Sequence, residues 1–187
     1  DFVDMNNKDA VYKVIEYLVA NGHEDIGFVR SAVNTHNFDL RHEGFWDAVD
    51  ELSMTIRRQN IFTVDSTYGG AYGDMLKALE GKPSLPSALF VTNDIMAYGT
   101  TRALQERGYQ VPDDVSVVGF DDLPSSAFTD PPLTSIEVSK QLMGEMAVRL
   151  LATRIGSAQE IPPMKIQVGA RLIPRDSVRN IQRPHND

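Results

Sequence analysis

The chain has 187 residues, 42% hydrophobic and 24% charged, with a formal net charge of -8 and no cysteine. That length suits one ordinary domain, and the composition is that of a water-soluble globule. The acidic balance argues against gripping nucleic acid or an anionic membrane through this piece, disulfide and thiolate chemistry are excluded, and no apolar run reaches the roughly 18 residues of a membrane span.

The opening DFVDMNN is neither an initiator methionine with a polar lead-in nor a basic, apolar signal segment. It reads as the middle of a longer chain. Asn6 or Asn7 caps a helix running to about Ala20, with Ala10, Val14, Tyr17 and Leu18 at helical spacing and Asn21-Gly22 as its stop. DIGFVRS (25–31) reads as a strand. Phe38–Met54 reads as a second helix, with Gly44, Phe45, Ala48, Val49 and Leu52 inward.

IRRQNIFTVD (56–65) reads as a strand, STYGG as a turn and cap, and Ala71–Leu79 as a third helix. ALFVT is a strand and Asp94–Arg107 a helix closed by Gly108. VPDDVSVVGFDD (111–122) gives a turn and a buried strand. Pro131-Pro132 keeps 130–138 extended. Lys140–Ile155 is a strong helix, two short strand-like runs fill 161–177, and the tail after Val178 is expected to fray. Such alternation predicts an α/β fold, a parallel sheet with helices on both faces.

In an open parallel sheet, ligands bind beyond the carboxyl ends of the strands. Polar residues sit there after strand upon strand. Arg30, Ser31, His36, Asn37, Phe38 and Arg41 follow the first, Asp65 the next, Asn93 the next, and Asp121 with Asp122 the last. Arg41 offers a planar fork of donors; Asp65 and Asp121 each accept two hydroxyl hydrogens; Asn93 does both. Phe38 and Tyr68 offer flat apolar faces. A sugar, with vicinal hydroxyls and a C–H ring face, fits this set. Read singly, the same residues have plainer roles: Asn93 or Asp94 as the helix cap, Asp122 as a cap or turn residue, Arg41 as a surface arginine.

Catalytic signatures are missing. There is no G-x-S-x-G elbow, phosphate loop or G-x-G-x-x-G. His23, His36, His42 and His185 are scattered, do not have metal-site spacing, and read as surface histidines. The expectation is therefore no enzyme activity, no metal and no cofactor.

ALFVTNDIMAYGTTRALQERGYQVPDDVSVVGFDD, PPLTSIEVSKQLMGEMAVRLL and LIPRDS, with NGHEDIGFV and FDLRHEGFWDAV upstream, resemble the effector-binding core of the lactose/galactose-repressor family. The resemblance covers nearly the whole chain. It implies a fold like the type I periplasmic binding proteins, with two lobes joined by three crossing strands. On this chain it places 1–138 in the second lobe, including the first hinge strand at DFVDMNN. It places 139–168 in the first lobe and 169–187 in the return strand and tail. Most of the first lobe would lie outside this sequence, so the stripe Leu142, Met143, Met146, Ala147, Leu150 and Leu151 would lack its usual sheet.

The resemblance carries sugar contacts onto Arg41, Asn93 and Asp121, with Phe38, Asn37, Asp65, Tyr68 and Glu137 as further candidates. It implies a ligand-driven switch in a cytoplasmic homodimer that binds DNA only through a helix-turn-helix head outside this chain. The helices 70–79 and 94–103 are candidate dimer contacts. A transport-system sugar-binding protein and a regulator sensing a purine or phosphorylated metabolite are the alternatives.

Overall fold

The computed structural model describes residues 1–81, 83–157 and 162–182. After a first strand, β1 (Phe2–Met5), helix α1 (Asn7–Ala20) leads into β2 (Ile26–Ser31) and α2 (His36–Glu51). There follow β3 (Ile61–Val64), α3 (Tyr68–Ala78), β4 (Ala88–Val91), α4 (Asp94–Glu106) and β5 (Ser116–Val118). The four strands β2 to β5 form one parallel sheet in the order β3-β2-β4-β5. The predicted α/β architecture is the one observed.

Period-two side-chain alternation builds two cores on the two faces. Phe28, Ala88, Phe90 and Val118 face α1 and α2; Val29, Leu89, Val91 and Val117 face α3 and α4. Phe28 stacks on Phe45 of α2 at 4.5 Å and on Phe90 at 5.4 Å between centroids. Each such fully buried ring stabilises the fold by about 1.5–3 kcal/mol. Because β2 is followed by α2 on one face and β4 by α4 on the other, the chain reverses direction across the sheet between these neighbours. That leaves a crevice at their carboxyl ends.

The remaining strands are shorter. β6 (Ser135–Glu137) runs beside the chain leaving β5, through Gly119 N–H to Thr134 O and Asp121 N–H to Ile136 O, both 2.9 Å. It pairs antiparallel with β8 (Arg171–Ile173). β7 (Lys165–Val168) pairs parallel with β1. α5 (Lys140–Gly156) packs on β1, away from the four-stranded sheet. Of its apolar residues Leu150 is buried and Met143 reaches the first core, whereas Leu142, Val148, Leu151 and Ile155 are exposed. Among the described residues, no helix is long and apolar enough to cross a membrane.

Four local expectations are corrected. α2 ends at Glu51 rather than Met54, because Ser53 turns left-handed at φ 53°. The strand expected over 56–65 is confined to Ile61–Val64, and a single tight helical turn takes up Arg58–Asn60. Tyr68, Gly69 and Gly70 lie inside α3, which is capped by Thr67. Residues 178–182 are not frayed: Arg179 N–H bonds Ser116 Oγ at 3.0 Å and Ile181 N–H bonds Asn21 O at 2.9 Å. Residues 183–187 lie outside the described residues.

Candidate functional site

Arg41 lies in the second turn of α2, buried despite its charge. A buried guanidinium must satisfy its donors within the protein. Here Nε donates to Asn7 Oδ1 at 3.0 Å, Nη1 to the Thr92 carbonyl at the end of β4 at 2.8 Å, and Nη2 to Asp121 Oδ1 at 3.1 Å. The guanidinium carbon sits 3.7 Å from the Phe120 ring centre and 5.9 Å from that of Phe38. One side chain thus ties α1, α2, β4 and the segment after β5 together at the mouth of the crevice. The surface-arginine reading is corrected: partners around its whole fork hold it inside.

Asp121 follows Phe120 in the left-handed region, at φ 106°, and Asp122 does the same at φ 42°. Burial pushes the Asp121 carboxyl above the usual carboxylate range, and Arg41 and then Lys140 pull against that shift. Burial likewise pulls Arg41 down, opposed chiefly by Asp121. The Asp121 side chain keeps 27% of its surface open. A carboxylate so placed has lone pairs left for a ligand's hydroxyl or N–H groups.

Asn93 caps α4: its Oδ1 accepts from Met96 N–H at 2.9 Å. The cap is therefore Asn93 rather than Asp94, whose carboxylate is wholly buried. Asn93 Nδ2 has no hydrogen-bond partner among the described residues, and the preceding residue supplies the carbonyl that binds Arg41. Asn37, at the start of α2, accepts from Asn7 Nδ2 at 3.1 Å. Phe38 is half-buried beside Arg41. Arg41, Asp121, Asn37 and Phe38 thus share one connected cluster, and Asn93 stands at its edge.

The other candidates are otherwise engaged. Glu137 lies beside Asp121 through a backbone bridge, but its carboxylate pairs with Arg171 at 2.7 Å. Asp65 turns back on its own loop, accepting from Thr67 N–H at 2.8 Å and Thr67 Oγ1 at 2.6 Å. Tyr68 is exposed and lines a separate cavity of about 340 Å³ with Tyr98, Arg102, Val111, Pro131 and Leu133. Asp122 pairs with Arg175 at 2.8 Å, locking the turn to the LIPRDS run.

Three participants escaped the sequence reading. Asn7 is buried and bonds both Arg41 and Asn37, while its neighbour Asn6 does the capping. The pair of asparagines at a helix start was the signal, but the spacing leaves open which one turns inward. Phe120, beneath the guanidinium, looked like any strand residue. Asp94 looked like a cap.

The surface expectation for histidine is corrected at His23, which is buried between Ser87 Oγ at 2.9 Å and Arg179 O at 3.0 Å. His42 packs against Phe28 at 5.7 Å between ring centres. His36 is exposed, with Nε2 3.7 Å from the buried Asp4. His185 lies outside the described residues. No group of three metal-ligating side chains occurs among the described residues.

A family model described as a periplasmic binding protein-like domain matches residues 15–178. The chain belongs to that family. Within this periplasmic binding protein-like family, its similarity is to transcription regulators of the lactose-repressor kind. The HTH-type transcriptional repressor PurR of Glaesserella parasuis is 36% identical over 178 residues, covering 92% of this chain and 52% of the repressor. A sugar-binding transcriptional regulator of the LacI family from Escherichia coli, solved with phosphate, superposes with a TM-score of 0.83 at 28% identity. The match covers 94% of this chain and 62% of that one. The regulator CelR, solved with cellobiose, gives a TM-score of 0.85 at 28% identity over 95% of this chain and 54% of its own. The chain spans about half the length of the curated relatives it matches.

Proposed function

We propose that this domain is the effector-binding part of a sugar-responsive bacterial transcription regulator, with the ligand held at the Arg41–Asp121 cluster. The observation that carries the reading is the buried guanidinium at the crevice mouth, flanked by a partly open carboxylate and two aromatic rings. Carboxylate and carboxamide bridge vicinal hydroxyls, and Phe38 takes the ring face. Two or three charge-assisted bonds of about 1.5–3 kcal/mol each are sufficient for useful affinity. Arg41, Asn93, Asp121, Asn37 and Phe38 are the principal contacts in this reading, with Asp65, Tyr68 and Glu137 engaged only after rearrangement.

In the same reading, residues 1–138 make up the second lobe with its hinge strand, 139–168 belong to the first lobe, and 169–187 return to the second. The apolar face of α5 then belongs against a sheet of that first lobe. Ligand between the lobes favours the closed arrangement, with a coupling of about 1–3 kcal/mol. The protein works in the cytoplasm as a homodimer through α3 and α4, touches DNA only through a head outside this chain, and catalyses nothing.

A purine is the second reading. The repressors at 36–37% identity carry the name PurR, and a flat heterocycle would stack on Phe38 with Asp121 accepting its N–H groups. Thermal-shift titration of the full protein with galactose, cellobiose and hypoxanthine, repeated with Asp121→Asn, separates the two. A sugar-specific rise in Tm that Asp121→Asn abolishes supports the first reading. A rise with hypoxanthine alone supports the second. A ligand equally effective in the variant overturns the site.

A further inference from the structure

Asp94 is the most deeply enclosed carboxylate described, at 0% exposure, and nothing in the effector reading uses it. It is not left unpaired. Oδ2 accepts from Leu123 N–H at 2.8 Å and Ser126 Oγ at 2.6 Å, and Oδ1 accepts from Ser135 Oγ at 2.6 Å. Its own N–H donates to Phe120 O at 2.8 Å. Ser135 Oγ in turn accepts from Asp122 N–H at 3.2 Å. Residues 122 and 123 are therefore fastened, through one hydroxyl and directly, to this single side chain, and residue 120 to the backbone N–H of the same residue.

What it fastens is the segment that presents Asp121. Two consecutive non-glycine residues in the left-handed region cost of order 1–3 kcal/mol each and persist only where the surroundings over-determine them. The fastening at Asp94 supplies that determination. Gly119 belongs to the same device: a Cβ there would run into Asp94 Oδ1 and Leu133 Cδ2. The sequence VVGFDD thus needs its glycine for the approach of Asp94.

We infer that Asp94 is a positioning residue: it holds the 120–123 backbone in the one conformation that aims the Asp121 carboxylate at Arg41 and at a ligand. The inference rests on the effector reading for its ligand, but its geometric half stands alone. Asp94 itself touches no ligand. It acts through Asp121, with Ser126 and Ser135 as its fixed supports.

Two readouts on the full protein test it. Backbone hydrogen exchange at 121–123 is compared in the parent, Asp94→Asn and Ser135→Ala. Binding of galactose, cellobiose and hypoxanthine is measured by calorimetry well below each Tm. Both variants are expected to speed exchange at 121–123 by tenfold or more while β2 and β4 stay protected, and to weaken the best of the three ligands by tenfold or more. Leu104→Ala, a core truncation on α4, serves as the control for general loosening and is expected to lower Tm without changing affinity. Unchanged exchange at 121–123 in a folded variant overturns the inference, as does an affinity loss equalled by Leu104→Ala. If Asp94→Asn does not fold, Ser135→Ala decides on both readouts. If none of the three ligands binds the parent, the effector reading fails, and the exchange measurement still decides the role of Asp94.

Discussion

Arg41 donates to Asp121 at 3.1 Å across 80 positions of sequence, and the pair closes the mouth of the crevice between β2 and β4. Removing one partner from a buried ion pair leaves the other uncompensated. Arg41→Met would strand Asp121, Asn7 Oδ1 and the Thr92 carbonyl together. The expected loss is about 3–5 kcal/mol, read from the urea midpoint. A loss under about 1 kcal/mol would show that water readily replaces the guanidinium.

The two ends of the Asn93 amide can be tested separately. Its Oδ1 caps α4, and its Nδ2, without a partner among the described residues, is the end that the proposed function assigns to a ligand acceptor. Asn93→Asp keeps the cap and removes the donor, so stability should hold while effector affinity falls. Asn93→Ala should cost about 1 kcal/mol of stability as well. Equal affinity in Asn93→Asp and the parent, measured by calorimetry, would leave Asn93 a cap and nothing more.

Gly119→Ala should destabilise by about 1–3 kcal/mol, as overpacking does, since the added methyl meets Asp94 and Leu133. Chemical denaturation reads this directly. A neutral substitution would mean that the segment shifts aside freely.

The acid limb of binding follows from Asp121, whose folded pKa is raised above its ordinary 3.8 by burial. A carboxylate that accepts ligand hydroxyls must be ionised. Effector affinity should therefore fall with acidification, starting above the pH at which an ordinary aspartate titrates. Asp121's contribution to stability runs the other way. Its native form binds more protons than its unfolded form between 3.8 and the raised value, so this contribution declines as pH rises through that window. Calorimetric titrations across pH on the parent and Asp121→Asn check both trends: the affinity slope should vanish in the variant, and the stability difference should change in the opposite direction.

α5 rests chiefly on β1 and leaves Val148, Leu151 and Ile155 open. A helix with so little buried apolar surface opens easily. Its amides in this chain should exchange many times faster than those of α1, whose Val11, Val14, Ile15 and Leu18 are fully buried. Matching protection would mean that the exposed face is covered in solution.

The alternating strands and helices were legible because their apolar periods are strong and their stops carry Gly, Asn or Pro. The edges were less so. Nothing local in RRQN marks a tight turn rather than the first residues of a strand, and the tail is held by bonds to Ser116 and Asn21, far away in sequence. At the candidate site, Arg41, Asn93 and Asp121 could be singled out because charged and amide side chains after apolar strands stand out, and the fold brings them to one crevice. Asn7 and Asp94 could not be assigned, because whether a polar residue at a helix start faces the solvent or the crevice depends on the neighbouring strand. Asp65 and Tyr68 sit at the end of edge strand β3, where the local turn and a second cavity claim them.

Lys140, the first residue of α5, gives one of its ammonium hydrogens to the main-chain oxygen of Asp121 at 2.9 Å. The foot of the outlying helix is thus tethered to the very residue whose side chain meets Arg41. That ammonium also adds its positive charge to the field that Arg41 sets around the Asp121 carboxylate, so the helix start and the crevice share one electrostatic neighbourhood.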